Sequence, residues 1–135
     1  MHRPGQSTLG VDTTVHLGAR VYGKAADAAE AAAMLAELAG RTHAVVSGIC
    51  LIAGDEEAVE HAETLVTFRS LDDAAIAAYV ASGEWRSRAG AYAIQGFGGR
   101  LVGRIAGDYL NVVGLPGALL LDLLERMAPS IVRAV

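Results

Sequence analysis

The chain has 135 residues, enough for one domain, and carries 11 Lys+Arg against 15 Asp+Glu, a formal net charge of −4. That balance excludes a general nucleic-acid binder built on a basic face, and 53% hydrophobic residues exclude a disordered chain. The single cysteine, Cys50, excludes an intrachain disulfide and a Cys-based metal cage and fits a reducing, cytoplasmic setting. The polar start lacks the apolar core of a secretory leader, and uncharged stretches such as Leu110 to Leu121 are too short to span a membrane.

Residues 1–8 read as a frayed lead-in to a single domain over 1–135. Leu9 to Val15, rich in Val and Thr, predicts a strand, and Arg20-Val21-Tyr22 a short second one beyond a turn at Gly18. Asp27 is placed to cap a helix over 28–39. Ala31, Met34, Leu35 and Leu38 form its stripe, and Gly40 lies just past its end. His43 to Ile52 is apolar except at Ser47 and Gly48, the pattern of a strand buried on both faces. Gly54-Asp55-Glu56-Glu57 reads as a long polar turn before a strand over 64–68, the two strands pairing as an antiparallel hairpin. Ser70-Leu71-Asp72-Asp73 matches a capping box for a helix with Ile76, Tyr79 and Val80 inward, ending at Gly83. Residues 84–99 are glycine-rich and irregular. Leu101 to Ile105 predicts a strand, and a last helix runs from about Pro116 to Met127 on the stripe Leu120, Leu123, Leu124 and Met127. The order β-β-α-β-β-α-loop-β-α defines an α/β domain without internal repeats.

Residues with chemistry to offer sit at element ends. Asp12 lies within an apolar strand, where a carboxylate needs a partner: backbone N–H groups, a metal, or a catalytic role. Lys24 follows Gly23 in a strand-to-helix loop, suited to a phosphate or simply to solvent; the full phosphate-loop motif is absent. The densest signal is the segment from Gly83 to Gly96. Arg86 and Arg88 are suited to phosphate, and Gln95 offers a donor-acceptor pair for a base edge. An irregular segment this long is either functional or an ordinary solvated loop. Asn111 reads as a turn or cap residue, Cys50 as small core filling, and Trp85 as a packing lid. His2, His16, His43 and His61 lack metal-ligand spacing and read as surface or strand-edge residues.

Four blocks, in order across residues 9–124, resemble the Maf family of nucleoside triphosphate pyrophosphatases. Gly10-Val11-Asp12-Thr13-Thr14-Val15 is similar to G-A-D-T-V-V, Gly23-Lys24-Ala25-Ala26-Asp27 to G-K-P-x-D, and Leu38-Ala39-Gly40-Arg41-Thr42-His43 to L-S-G-R-T-H. Ala89 to Gly96 with Ile105 to Pro116 resembles K-A-G-x-Y-G-I-Q-G … I-x-G-D-Y-x-N-V-V-G-L-P. The resemblance implies a mixed-sheet α/β fold related to the inosine triphosphate pyrophosphatases, with a cleft between two lobes. It implies hydrolysis of a nucleoside triphosphate to the monophosphate and diphosphate with a divalent cation such as Mg²⁺, and a homodimer. Asp12 matches the family's proton acceptor and a metal ligand, Lys24 and Arg88 its phosphate-neutralising cations, Thr13 and Gln95 the positions tied to dTTP and UTP, and Glu84 a further metal or water ligand.

This chain departs from the family pattern in three places. No S-x-S-P-R-R-like block precedes Leu9, so the expectation is an N-terminally shortened domain. The alternative to an active enzyme is therefore a catalytically inactive nucleotide-binding or interaction module. Ala25 stands where the family has proline, and Arg88 where it has lysine. The second change keeps the charge and alters the fork geometry.

Overall fold

A computed structural model describes residues 7–127. Five strands form one sheet in the order β2-β1-β3-β4-β5: β1 (Ser7–Leu17), β2 (Arg20–Tyr22), β3 (Thr42–Ala53), β4 (Glu56–Phe68) and β5 (Val102–Ala106). Every pairing among them is antiparallel. Among the described residues four α-helices accompany the sheet: α1 (Ala28–Leu38), α2 (Asp73–Ala81), α3 (Tyr109–Val113) and α4 (Gly117–Met127). A 3-10 turn over Phe97–Leu101 leads into β5. Residues 1–6 of the expected lead-in, His2 among them, lie outside the described residues, and β1 already begins at Ser7.

Local chemistry accounts for most element ends. The Asp27 carboxylate accepts from the Glu30 N–H at 2.8 Å and so starts α1. The i, i+3, i+4, i+7 stripe Ala31, Met34, Leu35 and Leu38 is buried as its spacing predicts. For α2 the cap is Asp72, which accepts from the Ala75 N–H at 2.7 Å, rather than Ser70 at the start of the capping-box match. The β3–β4 hairpin closes through a two-residue turn, since Ala53 pairs with Glu56 across Gly54-Asp55. Gly54 sits at φ +60, as a tight hairpin turn requires. The long polar loop expected there is therefore strand. Glu56–Glu63 is almost all exposed, so no apolar alternation marks it in the sequence.

β3 is buried on one face only. His43, Val45, Ser47, Ile49, Leu51 and Ala53 are covered, while the alternate residues, Cys50 included, stay half-exposed. Ala44, Gly48 and Cys50 are too small to show in composition which face lacks a cover. The covered face carries two apolar clusters. The larger joins Val15, Tyr22, Val45, Val66 and Phe68 of the sheet to Leu35 and Leu38 of α1, Ile76 and Tyr79 of α2, and Tyr92 and Ile94 of the segment that follows α2. The smaller, at the hairpin's far end, joins Ile49 and Leu51 to Leu123 of α4, with Leu119, Leu120, Leu124 and Met127 packed around them. Helix α3 sits between the two. Its Asn111 is fully buried, and its amide nitrogen lies 3.1 Å from the Val45 carbonyl, 3.2 Å from that of Ala62 and 3.0 Å from Thr64 Oγ1. The residue expected to turn the chain instead bolts α3 to β3 and β4.

Candidate active site

The cleft forms where β1 loses its neighbour. β2 pairs only with Val15, His16 and Leu17 of β1, so the strand's outer edge is uncovered by β2 just before them. Asp12 and Thr13 lie on that stretch, facing Gly48 and Ser47 of β3 in register. The Thr13 and Ser47 hydroxyls meet at 2.9 Å, which fixes the threonine's rotamer. Ser47, the polar interruption in an apolar run, thereby acquires a reason to be there.

Two loops close on this edge. The Gly23 carbonyl accepts from the Gly90 N–H at 3.1 Å, and Lys24 bridges Ala89 in antiparallel fashion. These main-chain bonds place Lys24 next to Arg88. The resulting cavity, about 420 Å³, is lined by Asp12, Thr13, Lys24, Arg88 and Gln95, with Tyr92, Ala93 and the α3 end Val112-Val113-Gly114 completing its wall. Five of the six residues to which the family resemblance gives a site role thus share one cleft, and Arg86 is not among its lining residues. Asp12 is its only carboxylate among the lining residues, against two cations. A polyanion with room for one bridging divalent ion matches that charge pattern.

The lining segment takes an unusual path. Ser87 and Ala91 adopt left-handed backbone angles, φ 60 and φ 66, and Gly90 lies between them at φ +72. Such conformations in non-glycine residues cost of order 1 kcal/mol or more and persist only where surroundings enforce them. At Gly90 an added Cβ would stand 3.0 Å from a Val15 methyl, so the loop is pressed onto β1 through a residue with no side chain.

Beneath the cleft, His43 is 1% exposed. Its Nε2 lies 2.7 Å from the Tyr92 hydroxyl, and both rings pack edge-on against Phe68. Desolvation lowers the His43 pKa to about 4, and burial pushes the Tyr92 phenol up. His43 is thus a core residue and not a strand-edge one. Its polarity hid this in the sequence, and Tyr92, the partner that makes burial tolerable, lies 49 residues away.

Glu84, the sixth residue, is not among the cleft-lining residues. Its carboxylate accepts from the N–H groups of Phe97 at 2.9 Å and Gly98 at 3.2 Å and from the Tyr79 hydroxyl at 3.1 Å. The Phe97 N–H bond is the first cause of a lowered Glu84 pKa; desolvation opposes it, and the Gly98 and Tyr79 bonds reinforce it. Trp85 is buried and donates to the Val80 carbonyl at 3.1 Å, which is packing, as expected. A second cavity of about 560 Å³ adjoins this region, between α2 and the 3-10 turn; Tyr79 and Phe97 help line it, and none of the six residues does.

Among the described residues no cluster of three or more His, Cys, Asp or Glu could hold a metal ion. A Mg²⁺-type ion typically takes one or two protein carboxylates and completes its shell with water and substrate phosphate. Among the residues lining the cleft, Asp12 is the one that could offer such a carboxylate. No described helix is long and apolar enough to cross a membrane.

An antiparallel sheet with helices on one face, and a cleft at the sheet's open edge whose lining residues carry two cations and one carboxylate, define an α/β protein with a cleft chemically suited to an anionic ligand. The chain belongs to the Maf-like protein family, whose model matches residues 2–127. It is 48% identical over 123 residues to the dTTP/UTP pyrophosphatase of Pyrococcus furiosus, a match covering 90% of this chain and 64% of that protein. It is 47% identical over 125 residues to the protein of the same name from Alcanivorax borkumensis, covering 93% and 64%. To that from Moorella thermoacetica it is 54% identical over 110 residues, covering 80% and 57%. The chain spans about three fifths of the length of these curated relatives.

Proposed function

We propose that the cleft binds a nucleoside triphosphate, dTTP or UTP in the first instance, and hydrolyses it to the monophosphate and diphosphate. The observation that carries this reading is the convergence of Asp12, Thr13, Lys24, Arg88 and Gln95 on one cavity from three separate parts of the chain. In the reaction a water attacks the α-phosphorus, the bond to the bridging oxygen breaks, and diphosphate leaves with the electron pair. Asp12 takes the water's proton or orients the water. Lys24 and Arg88 offset the negative charge that builds on the phosphate oxygens and the leaving group. A divalent cation held by Asp12 would add further charge neutralisation when bound. Thr13, fixed by Ser47, and Gln95 face the nucleoside end, where the Gln95 amide offers a donor and an acceptor to a pyrimidine edge. The same reading includes a cytoplasmic setting and a homodimer, the latter tested by sedimentation.

Diphosphate release from dTTP, UTP, CTP and GTP with Mg²⁺ tests the proposal. Turnover of dTTP and UTP above the others is expected. Asp12→Asn, which keeps shape and removes charge, should lower kcat by roughly 10²–10⁴-fold, the usual worth of a positioned proton acceptor. Full activity in Asp12→Asn would refute the role given to Asp12. The chain covers only part of its relatives' length, so a second reading carries its own signature. A folded chain that binds dTTP and releases no diphosphate is a nucleotide-binding module.

A further inference from the structure

The cleft-lining residues Arg88, Tyr92, Ala93 and Gln95 lie on one irregular stretch between α2 and the 3-10 turn. With Ser87 and Ala91 in left-handed conformations, this stretch does not hold its shape by backbone preference. Something outside the cleft must hold it. The Glu84 carboxylate does so at the loop's two ends. Glu84 itself starts the stretch, and the two N–H groups it accepts, Phe97 and Gly98, end it. The loop wraps the carboxylate so closely that a Cβ on Gly96 would fall 2.6 Å from one of its oxygens. Tyr79, on the buried face of α2, ties this knot to the core. Its hydroxyl donates to Glu84 at 3.1 Å and accepts from the Ala93 N–H at 2.9 Å. Ala93 is itself a cleft-lining residue.

Resting on the nucleotide reading above, we propose that Glu84 and Tyr79 are positioning residues, a latch that sets where Arg88 and Gln95 stand in the cleft while touching no substrate. This replaces the metal-ligand role that resemblance implied for Glu84. Its carboxylate is engaged by two loop N–H groups and the Tyr79 hydroxyl of α2, and Asp12 lines a cavity that Glu84 does not. Charged acceptors bonded to backbone N–H groups are the stronger class of hydrogen bond, so removing one charge should loosen the loop markedly.

Glu84→Gln and Tyr79→Phe test the latch on the full chain. Amide hydrogen exchange is the first readout and needs no activity. Both variants should speed exchange across residues 86–98 by about tenfold or more, corresponding to loss of a charge-assisted bond, with α1 and β3 unchanged. The second readout is kinetic, with dTTP as probe. KM should rise about tenfold with a smaller change in kcat, and the Mg²⁺ concentration for half-maximal rate should not move. Unchanged exchange in both variants would overturn the latch, as would a shift in Mg²⁺ dependence confined to Glu84→Gln, which would restore the metal-ligand role. A uniform rise in exchange through α1 and β3 would also overturn it, by showing a general structural role. If Glu84→Gln does not fold, Tyr79→Phe decides, since it retains the carboxylate and its two backbone bonds. If the native chain proves inactive on dTTP, the hydrolysis reading fails while the exchange data still judge the latch.

Discussion

The two ends of the β3–β4 hairpin are built differently. Its near end lies under α1, α2 and the cleft loop, in a cluster containing Leu35, Leu38, Phe68 and Tyr92. Among the described residues its far end is covered by α4, through Leu123 against Ile49 and Leu51. Around that end Leu9, Val59 and Leu121 remain 45%, 61% and 48% exposed. The near end has the density to hold strained loops in place, and the functional groups are gathered there. The far end has one layer of side chains and is expected to open first. The cleft borrows its rigidity from the near end and reaches toward the far end only through α3, whose Asn111 is fastened to both long strands.

The sharpest way to break the comparison is to open an equal hole at each end. Leu35→Ala should cost about 3–5 kcal/mol and lower the whole unfolding transition. Leu123→Ala should cost about 2–3 kcal/mol, with exchange speeding first at α4 and the hairpin tip. Equal loss by both variants, with no local opening of α4, would make the two ends one cooperative unit.

His43 sharpens it by pH. Its pKa is about 4 in the fold against 6.5 when unfolded, so between those values the unfolded chain holds a proton that the folded one does not. Stability from this residue is complete above about pH 6.5, falls as pH drops through the window, and levels off below about pH 4. The total is of order 3 kcal/mol. Denaturant titrations of native chain and His43→Phe across pH 4–7 read it as the difference between their slopes. A parallel pair of curves would refute the neutral buried imidazole.

Gly90→Ala probes the contact between loop and strand. The left-handed backbone and the 3.0 Å approach to Val15 together predict a cost of about 1–3 kcal/mol and a weaker nucleotide affinity. Calorimetry and dTTP titration on the same variant measure both. Smallest is Asp27→Ala, which removes the α1 cap for about 1 kcal/mol and should leave nucleotide affinity unchanged.

Much of this was legible in the chain itself. Periodicity located α1 with its four inward residues, and β1, β2 and the last helix stand close to their expected places. Local patterns work there because each element's own spacing records which side faces the core. The blocks that resemble the Maf family also pointed to five residues now seen lining one cavity. The exposed first half of β4 was illegible, since a strand with little buried surface leaves no apolar alternation. So was the five-residue α3, too short to establish a period.

The sequence by itself determined an α/β domain, the Asp27 cap of α1 and the kinds of group that the Maf resemblance assigns to a triphosphate site. Only the tertiary structure decided that Glu84 holds a loop and not the cleft, that His43 is buried against Tyr92, and that Asn111 ties α3 to the sheet. The reason is physical. A carboxylate, an imidazole or an amide is costly to bury without a partner, and those partners stand 13, 49 and 66 residues away along the chain. Folding brings them within bonding distance, and no local pattern records them.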